Sequence, residues 1–151
     1  MIVAVGFDHA GVPLRPRLLA EIEQAGHEVL DLGTDRPVPI DYPDKALEVG
    51  MAVVSGQAER GILVCGSGAG VSVAACKIRG IRAATVHDTY TAHQGVEHDG
   101  VNVLCLGGRV VGSELAAEVV AAFLGATISM EERHVRRRAK VDEIERTGGL
   151  E

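Results

Sequence analysis

Gly61-Ile62-Leu63-Val64-Cys65-Gly66-Ser67-Gly68-Ala69-Gly70, followed by Val71 to Lys77, decides how the rest of the chain is read. Ile62, Leu63 and Val64 are a short apolar run, the mark of a strand buried on both faces. The run ends in Cys65, and alternating glycines then open an amphipathic helix. A strand, a glycine-rich turn and a helix in that order leave bare backbone N–H groups at a helix start. Those first-turn donors have no partner inside the helix, and the helix dipole is positive there, so the turn suits an anion. The same field favours thiolate over thiol. One turn therefore offers a candidate base or nucleophile, Cys65, beside a cradle for developing negative charge.

Outward from this stretch the chain alternates. Residues 2–6 read as a strand, with Phe7-Asp8-His9-Ala10-Gly11 as the loop at its carboxyl end. Residues 14–25 read as a helix with Leu18, Leu19 and Ile22 on one side, stopped by Gly26. Residues 27–32 read as a second strand, and the loop 33–41, with Pro37 and Pro39, delivers Tyr42. Pro43 suits the first turn of a helix running to about Val54. After the strand 61–65 and the helix 71–77 come a strand at 82–86, a short helix at 88–94 and a strand at 101–106. Ser113 is the expected cap of a helix with Glu114 in its first turn, running to Leu124 before Gly125. Residues 131–146 form a last, strongly charged helix.

Five strands alternating with helices imply an α/β architecture: a five-stranded, mostly parallel sheet with helices on both faces, three-layered and Rossmann-like, plus a C-terminal helix. Such sheets bind ligands beyond the carboxyl ends of their strands. The residues to inspect are therefore Asp8 and His9, Tyr42, Cys65 to Gly70, His87 and Asp88, and Gly107 to Arg109. His98 lies just upstream of the fifth strand, in Glu97-His98-Asp99-Gly100.

Composition narrows the function classes. At 151 residues the chain is read as one domain, 1–151, able to bury a core without disulfides or metal. Apolar residues are 46%, yet no run is long enough to span a membrane, and Met1-Ile2-Val3-Ala4 leads into a strand rather than a signal peptide. A net charge of −6 and only 3% aromatics argue against nucleic acid as a partner. Three cysteines, an odd number in apolar settings, point to reduced thiols and a cytoplasmic location.

Each feature also has a plainer reading. Glycines after a strand often make only a tight turn. A dinucleotide site needs a third glycine where Val71 stands, and this turn follows the third strand rather than the first, although Asp88 lies near the place of the ribose-binding acid. A P-loop lacks its Gly-Lys-Ser/Thr. Asp8-His9, His87-Asp88 and His98-Asp99 show no ligand ladder, so neither metal nor cofactor is expected. Cys76 and Cys105 read as inert thiols kept neutral by burial. The run Arg133-His134-Val135-Arg136-Arg137-Arg138 is first a solvated face, yet Arg133 and Arg137 share one side of a helix, which suits two guanidiniums closing on a phosphate.

Seven pieces then appear in order: Gly6-Phe7-Asp8-His9-Ala10-Gly11, Asp41-Tyr42-Pro43, the 61–70 stretch, Ala74-Ala75-Cys76-Lys77, Glu97-His98-Asp99, Gly107-Gly108-Arg109-Val110-Val111-Gly112 and Arg133-His134. Together they resemble the ribose-5-phosphate isomerase B family, which also holds the galactose-6-phosphate isomerase subunits. The resemblance implies a metal-free aldose–ketose isomerase of a sugar phosphate. It works through an enediolate and is a homodimer, or a tetramer, with active sites shared between subunits. By position, Cys65 resembles the base and Ser67, where the family usually has threonine, the group that moves protons among oxygens. The backbone of Gly66, Gly68, Ala69 and Gly70 resembles the oxyanion hole, and His98 the ring-opening group. Asp8 and Tyr42 resemble sugar-contacting residues. His9, Arg109, Arg133, His134 and Arg137 resemble the phosphate set. Asp99 stands where the family commonly has asparagine; a carboxylate accepts from sugar hydroxyls but lacks the amide's donor. Ribose 5-phosphate and ribulose 5-phosphate are the leading pair, with six-carbon or four-carbon sugar phosphates as alternatives and a non-catalytic nucleotide-binding module as the rival class.

Overall fold

The computed structural model describes residues 1–149. Five strands form its centre: β1 (Ile2–Phe7), β2 (Glu28–Asp31), β3 (Arg60–Cys65), β4 (Ala83–Thr85) and β5 (Val103–Gly107). They lie in the order β2-β1-β3-β5-β4, and every pairing is parallel. Six helices connect and cover them: α1 (Arg15–Gln24), α2 (Tyr42–Val54), α3 (Ala69–Ala75), α4 (Thr89–Asp99), α5 (Ser113–Gly125) and α6 (Glu132–Thr147). Strand order reverses between β1 and β3, so the crevice beyond their carboxyl ends is where this topology opens a ligand site. Asp8 follows one of those strands and Cys65 ends the other.

The period-two alternation of the strands sorts the core into two layers. Val3, Val5, Phe7, Ile62, Val64, Leu104 and Leu106 face α1, α4 and α5, meeting Leu18, Ile22, Val96, Val120 and Phe123. Ala4, Leu63, Cys65, Val103 and Cys105 face α2 and α3, meeting Ala46, Val49, Val71 and Ala75. Both layers are shut to solvent. Among the described residues no helix is long and apolar enough to cross a membrane.

Several elements depart from the sequence reading, each for a local reason. The first helix is preceded by a 3-10 turn, Val12–Leu14, and α1 itself begins at Arg15 with a proline in its first turn. Helix α3 starts at Ala69, two residues before the expected Val71, because Gly68 at φ +80° already turns the chain into it. Gly112, not Ser113, is the N-cap residue of α5; Ser113 is its first helical residue. The largest departure is α4. Gly95 was expected to follow the helix end at 94, but α4 runs on to Asp99, and the stop is Gly100 at φ +70°. His98 and Asp99 are therefore helical. They also lie at the amino end of the sheet, because α4 starts beyond the carboxyl end of β4 and runs back to where β5 begins.

Helix α6 packs on the end of α4 through arginines aimed at backbone oxygen. Arg138 donates to His98 O at 3.1 Å and to Ser129 O at 2.7 Å. Arg82 donates to Asp99 O at 2.6 Å, and also to Arg138 O and the Asp142 carboxylate. Cations at a helix C-terminus satisfy its last carbonyls and its dipole together.

A third arginine performs the same service for α5. Arg60, half-buried, donates to Phe123 O and to Ala126 O (2.6 Å) and lies over the Phe123 ring with 5.3 Å to its centroid. Burial lowers its pKa from the usual arginine value. Replacing it strands two carbonyls, so Arg60→Ala is expected to destabilise by about 2 kcal/mol, roughly 6 °C in Tm. Since Arg60 and Cys65 are the two ends of β3, turnover should be untouched. Thermal unfolding with parental Tm would reduce these contacts to surface decoration.

Candidate active site

Beyond the carboxyl ends of β1, β3 and β5 lies a cleft of about 410 Å³ lined by Asp8, Tyr42, Cys65, Gly66, Ser67, Gly70, Arg109 and Val110. Its floor is the turn between β3 and α3. Cys65 is buried, and its Sγ accepts a hydrogen bond from Gly68 N–H at 3.2 Å. Ser67 is exposed, and its Oγ accepts from Ala69 N–H at 3.2 Å. The N–H groups of Ser67, Gly70 and Val71 have no acceptor among the described residues. Sulfur and free amide donors thus share one turn, as the strand–turn–helix pattern requires.

The walls explain why glycine is needed. The Tyr42 ring rests against Gly70: a Cβ there would lie 2.9 Å from Tyr42 Cζ. Opposite, Gly107 backs onto Ser67, whose carbonyl carbon would be 2.8 Å from a Cβ at 107. Gly108 N–H donates to Cys65 O at 2.7 Å and Arg109 N–H to Gly66 O at 3.0 Å, so the loop after β5 is stitched to the turn. That stitching delivers the exposed Arg109 side chain to the cleft. Asp8 is buried; its Oδ1 accepts from Ala10 N–H at 2.8 Å and Gly11 N–H at 3.0 Å, leaving Oδ2 without a bond among the described residues.

A second cluster sits at the other end of the sheet. The His98 and His134 rings stack with centroids 4.0 Å apart. Glu97 Oε2 lies 3.6 Å from His98 Nε2 and 3.5 Å from His93 Nε2. His134 is buried, and burial, with His98 and Arg133 adding, lowers its pKa from the usual histidine value. Arg133 and Arg137 are exposed beside it on the first turns of α6. The Nδ1 atoms of His9 and His134 are both buried without a partner among the described residues.

The expected site residues therefore fall into two groups. Asp8, Tyr42, Cys65, Gly66, Ser67, Gly70 and Arg109 line the cleft, Gly68 and Ala69 complete its turn, and His9 follows Asp8. His98, Asp99, Arg133, His134 and Arg137 do not reach it within one chain. Val110, exposed at the rim, was not anticipated; its place after Gly107-Gly108-Arg109 was the available signal. Asp88 loses the ribose-binding part it was weighed for: its carboxylate caps α4, accepting from Thr91 N–H at 2.7 Å, which holds it below the usual carboxylate range. The expectation for Cys76 also fails. It is exposed at the C-cap of α3, with Sγ 3.3 Å from Ala83 O, because the helix ends one residue before it.

Known proteins are similar to this chain in sequence and fold. A family model described as Ribose/Galactose Isomerase matches residues 3–141. Ribose-5-phosphate isomerase B of Escherichia coli (strain K12) is 42% identical over 143 residues, 95% of this chain and 95% of that protein. D-erythrulose-4-phosphate isomerase of Pectobacterium atrosepticum is 39% identical over 128 residues, 82% of each. The structure of Clostridium thermocellum ribose-5-phosphate isomerase B, 42% identical, gives a TM-score of 0.92 over 97% of this chain and 98% of that one.

The three thiols have separable environments. Burial pushes the Cys105 thiol far up from its ordinary value, so it stays neutral through the whole working range of pH. A water-soluble alkylating reagent near pH 8 is expected to modify Cys76 first, Cys65 at the cleft floor next, and Cys105 only after denaturation. Peptide mass spectrometry checks the order. Native-state labelling of Cys105 would contradict the buried position assigned to it.

Proposed function

The chain belongs to the ribose/galactose isomerase family, and on that premise we propose that it interconverts an aldose phosphate and its ketose phosphate, with ribose 5-phosphate and ribulose 5-phosphate as the pair. One observation carries the mechanism: Cys65 Sγ and unbonded amide donors converge on one cleft. The Cys65 thiolate removes the proton from C2 of the open-chain aldose. The C–H electron pair becomes the C1–C2 double bond of an enediolate, and the carbonyl oxygen on C1 takes the negative charge. Amide donors of the 66–70 turn face that oxyanion, where fixed dipoles lower the barrier more than they aid ground-state binding. Ser67 passes the O2 proton to O1, the Cys65 thiol returns its proton to C1, and C2 is left as the ketone. Asp8 and Tyr42 hold the sugar.

Phosphate binding and ring opening need the second cluster. Arg133, His134 and Arg137, with the orphan Nδ1 of His134, suit phosphate oxygens, as do Arg109 and His9. His98 suits proton transfer to the ring oxygen. Because this cluster and the cleft occupy opposite ends of the sheet, the working enzyme is a homodimer in which the partner subunit's His98, Asp99, Arg133, His134 and Arg137 complete each cleft. The whole chain acts as one isomerase domain without metal or cofactor, and its unpaired cysteines suit the cytoplasm, where the reaction serves the pentose phosphate pathway. A shorter substrate has specific support from the D-erythrulose-4-phosphate isomerase relative, and Asp99 favours a sugar phosphate other than ribose 5-phosphate without fixing its length.

A panel of four-, five- and six-carbon aldose phosphates, assayed for ketose formation, tests the reading. Ribose 5-phosphate should be turned over best; preference for another length reassigns the substrate, and no turnover of any removes the isomerase. Arg137→Ala should raise KM about thirtyfold, the cost of one charged hydrogen-bonding partner. Cys65→Ala and His98→Ala should each be inactive alone, yet subunit exchange between them should restore about a quarter of parental activity, because half the dimers carry one intact site of two. Mixtures as dead as their parents would mean that the two residues do not meet across an interface.

A further inference from the structure

The turn that carries Ser67 to Gly70 is braced from outside its own strand and helix. Gly68, at φ +80°, presses against the edge of the sheet: a Cβ there would lie 2.9 Å from Thr85 Cγ2. Its carbonyl accepts from Thr85 Oγ1 at 3.0 Å. On the other side of the turn, Gly107 supports the Ser67 backbone, and Gly107 N–H donates to His87 Nε2 at 2.9 Å. Thr85 ends β4 and His87 lies two residues beyond, so one short segment of the edge strand reaches both supports. Neither side chain lines the cleft. An imidazole that accepts through Nε2 is neutral and carries its proton on Nδ1.

We propose that Thr85 and His87 are positioning residues that hold the 66–70 turn in the shape its chemistry needs. The inference rests on the isomerase reading above, because it is the enediolate that requires the donors' aim. Donors directed at charge that forms only on the way to the transition state act on kcat, whereas phosphate contacts made elsewhere act on KM. Loosening the turn should therefore slow proton transfer without weakening substrate binding. A purely structural brace would show a different signature, with lower Tm at unchanged kcat.

The test uses the full-length protein with His87→Ala, His87→Gln and Thr85→Val. Ribose 5-phosphate kinetics are read beside deuterium exchange of peptides covering residues 65–71. His87→Ala and Thr85→Val should each lower kcat about tenfold with KM within about twofold, and should speed amide exchange in the turn. His87→Gln puts an amide oxygen near the place of Nε2 and should return kcat to within about threefold of the parent. Parental kcat in His87→Ala, a raised KM with kcat unchanged, or a His87→Gln variant as slow as His87→Ala overturns the proposal. If His87→Ala does not fold, Thr85→Val decides, and parental exchange in its turn overturns the proposal. If the parent protein itself turns over no sugar phosphate, the isomerase reading has failed, and the exchange rates still decide whether the brace exists.

Discussion

Position 68 has no room for a side chain, and the cleft follows from that. A Cβ would strike Thr85 on the edge strand and lie 3.0 Å from the Leu106 carbonyl carbon on β5. Only glycine lets the chain leave β3, lie flat against its neighbours and enter α3 at the next residue. The tightness of that passage has two effects. It leaves the Gly70 and Val71 amides in the first turn of α3 without acceptors among the described residues, and it swings Gly68 N–H onto the sulfur of Cys65. Looser connections of the same length would put the thiol and the donors in separate places.

Charge is arranged against the average of the molecule. The chain carries a net −6, yet Arg109 lines the cleft and Arg133 and Arg137 lie on the first turns of α6, where Glu131 pairs with Arg133 at 2.9 Å. A local field of one sign decides where an anion settles, and net charge decides mainly solubility and non-specific association. The acids are spent elsewhere: Asp88 caps α4, Asp31 pairs with Arg15, and Asp142 holds Arg82. Three acids stay at the sites: Asp8 is a buried carboxylate in the cleft with one oxygen committed to its own loop, Glu97 lies against His98, and Glu131 pairs with Arg133.

The half of the site built on strand ends was legible in the sequence because it depends on short-range rules. An apolar run, a cysteine and glycines at alternate positions define a strand, a turn and a helix start with little freedom left. Asp8, Tyr42 and Arg109 were found by the same logic, since parallel strands place their carboxyl ends together. The other half was not legible in the same way. The helix end read at 94 stands before Gly95, but α4 passes through that glycine and stops at Gly100, whose positive φ, beside Arg138 of α6, marks the true end. The position of His98 upstream of the fifth strand is legible, but not that its ring stacks on His134 of the last helix. Cys76 was misjudged for a related reason: an apolar neighbourhood in sequence says nothing about whether a helix ends one residue earlier. Helical spacing groups Arg133 and Arg137 and the resemblance adds His134, but spacing gives a face and not what the face meets.

The anchoring of α6 has an evolutionary consequence. Arg82 and Arg138 grip the carbonyl oxygens of residues 98, 99 and 129, atoms that every amino acid supplies. At 99 this part of the hold on α6 is thus indifferent to the side chain, whereas at 98 the imidazole also stacks on His134. Asparagine or aspartate at 99 leaves the scaffold equally well tied, so the identity of that residue is free to drift with the ligand rather than with the fold. A lineage built this way can explore new chemistry at 99 one substitution at a time, without a compensating change in the helix beside it.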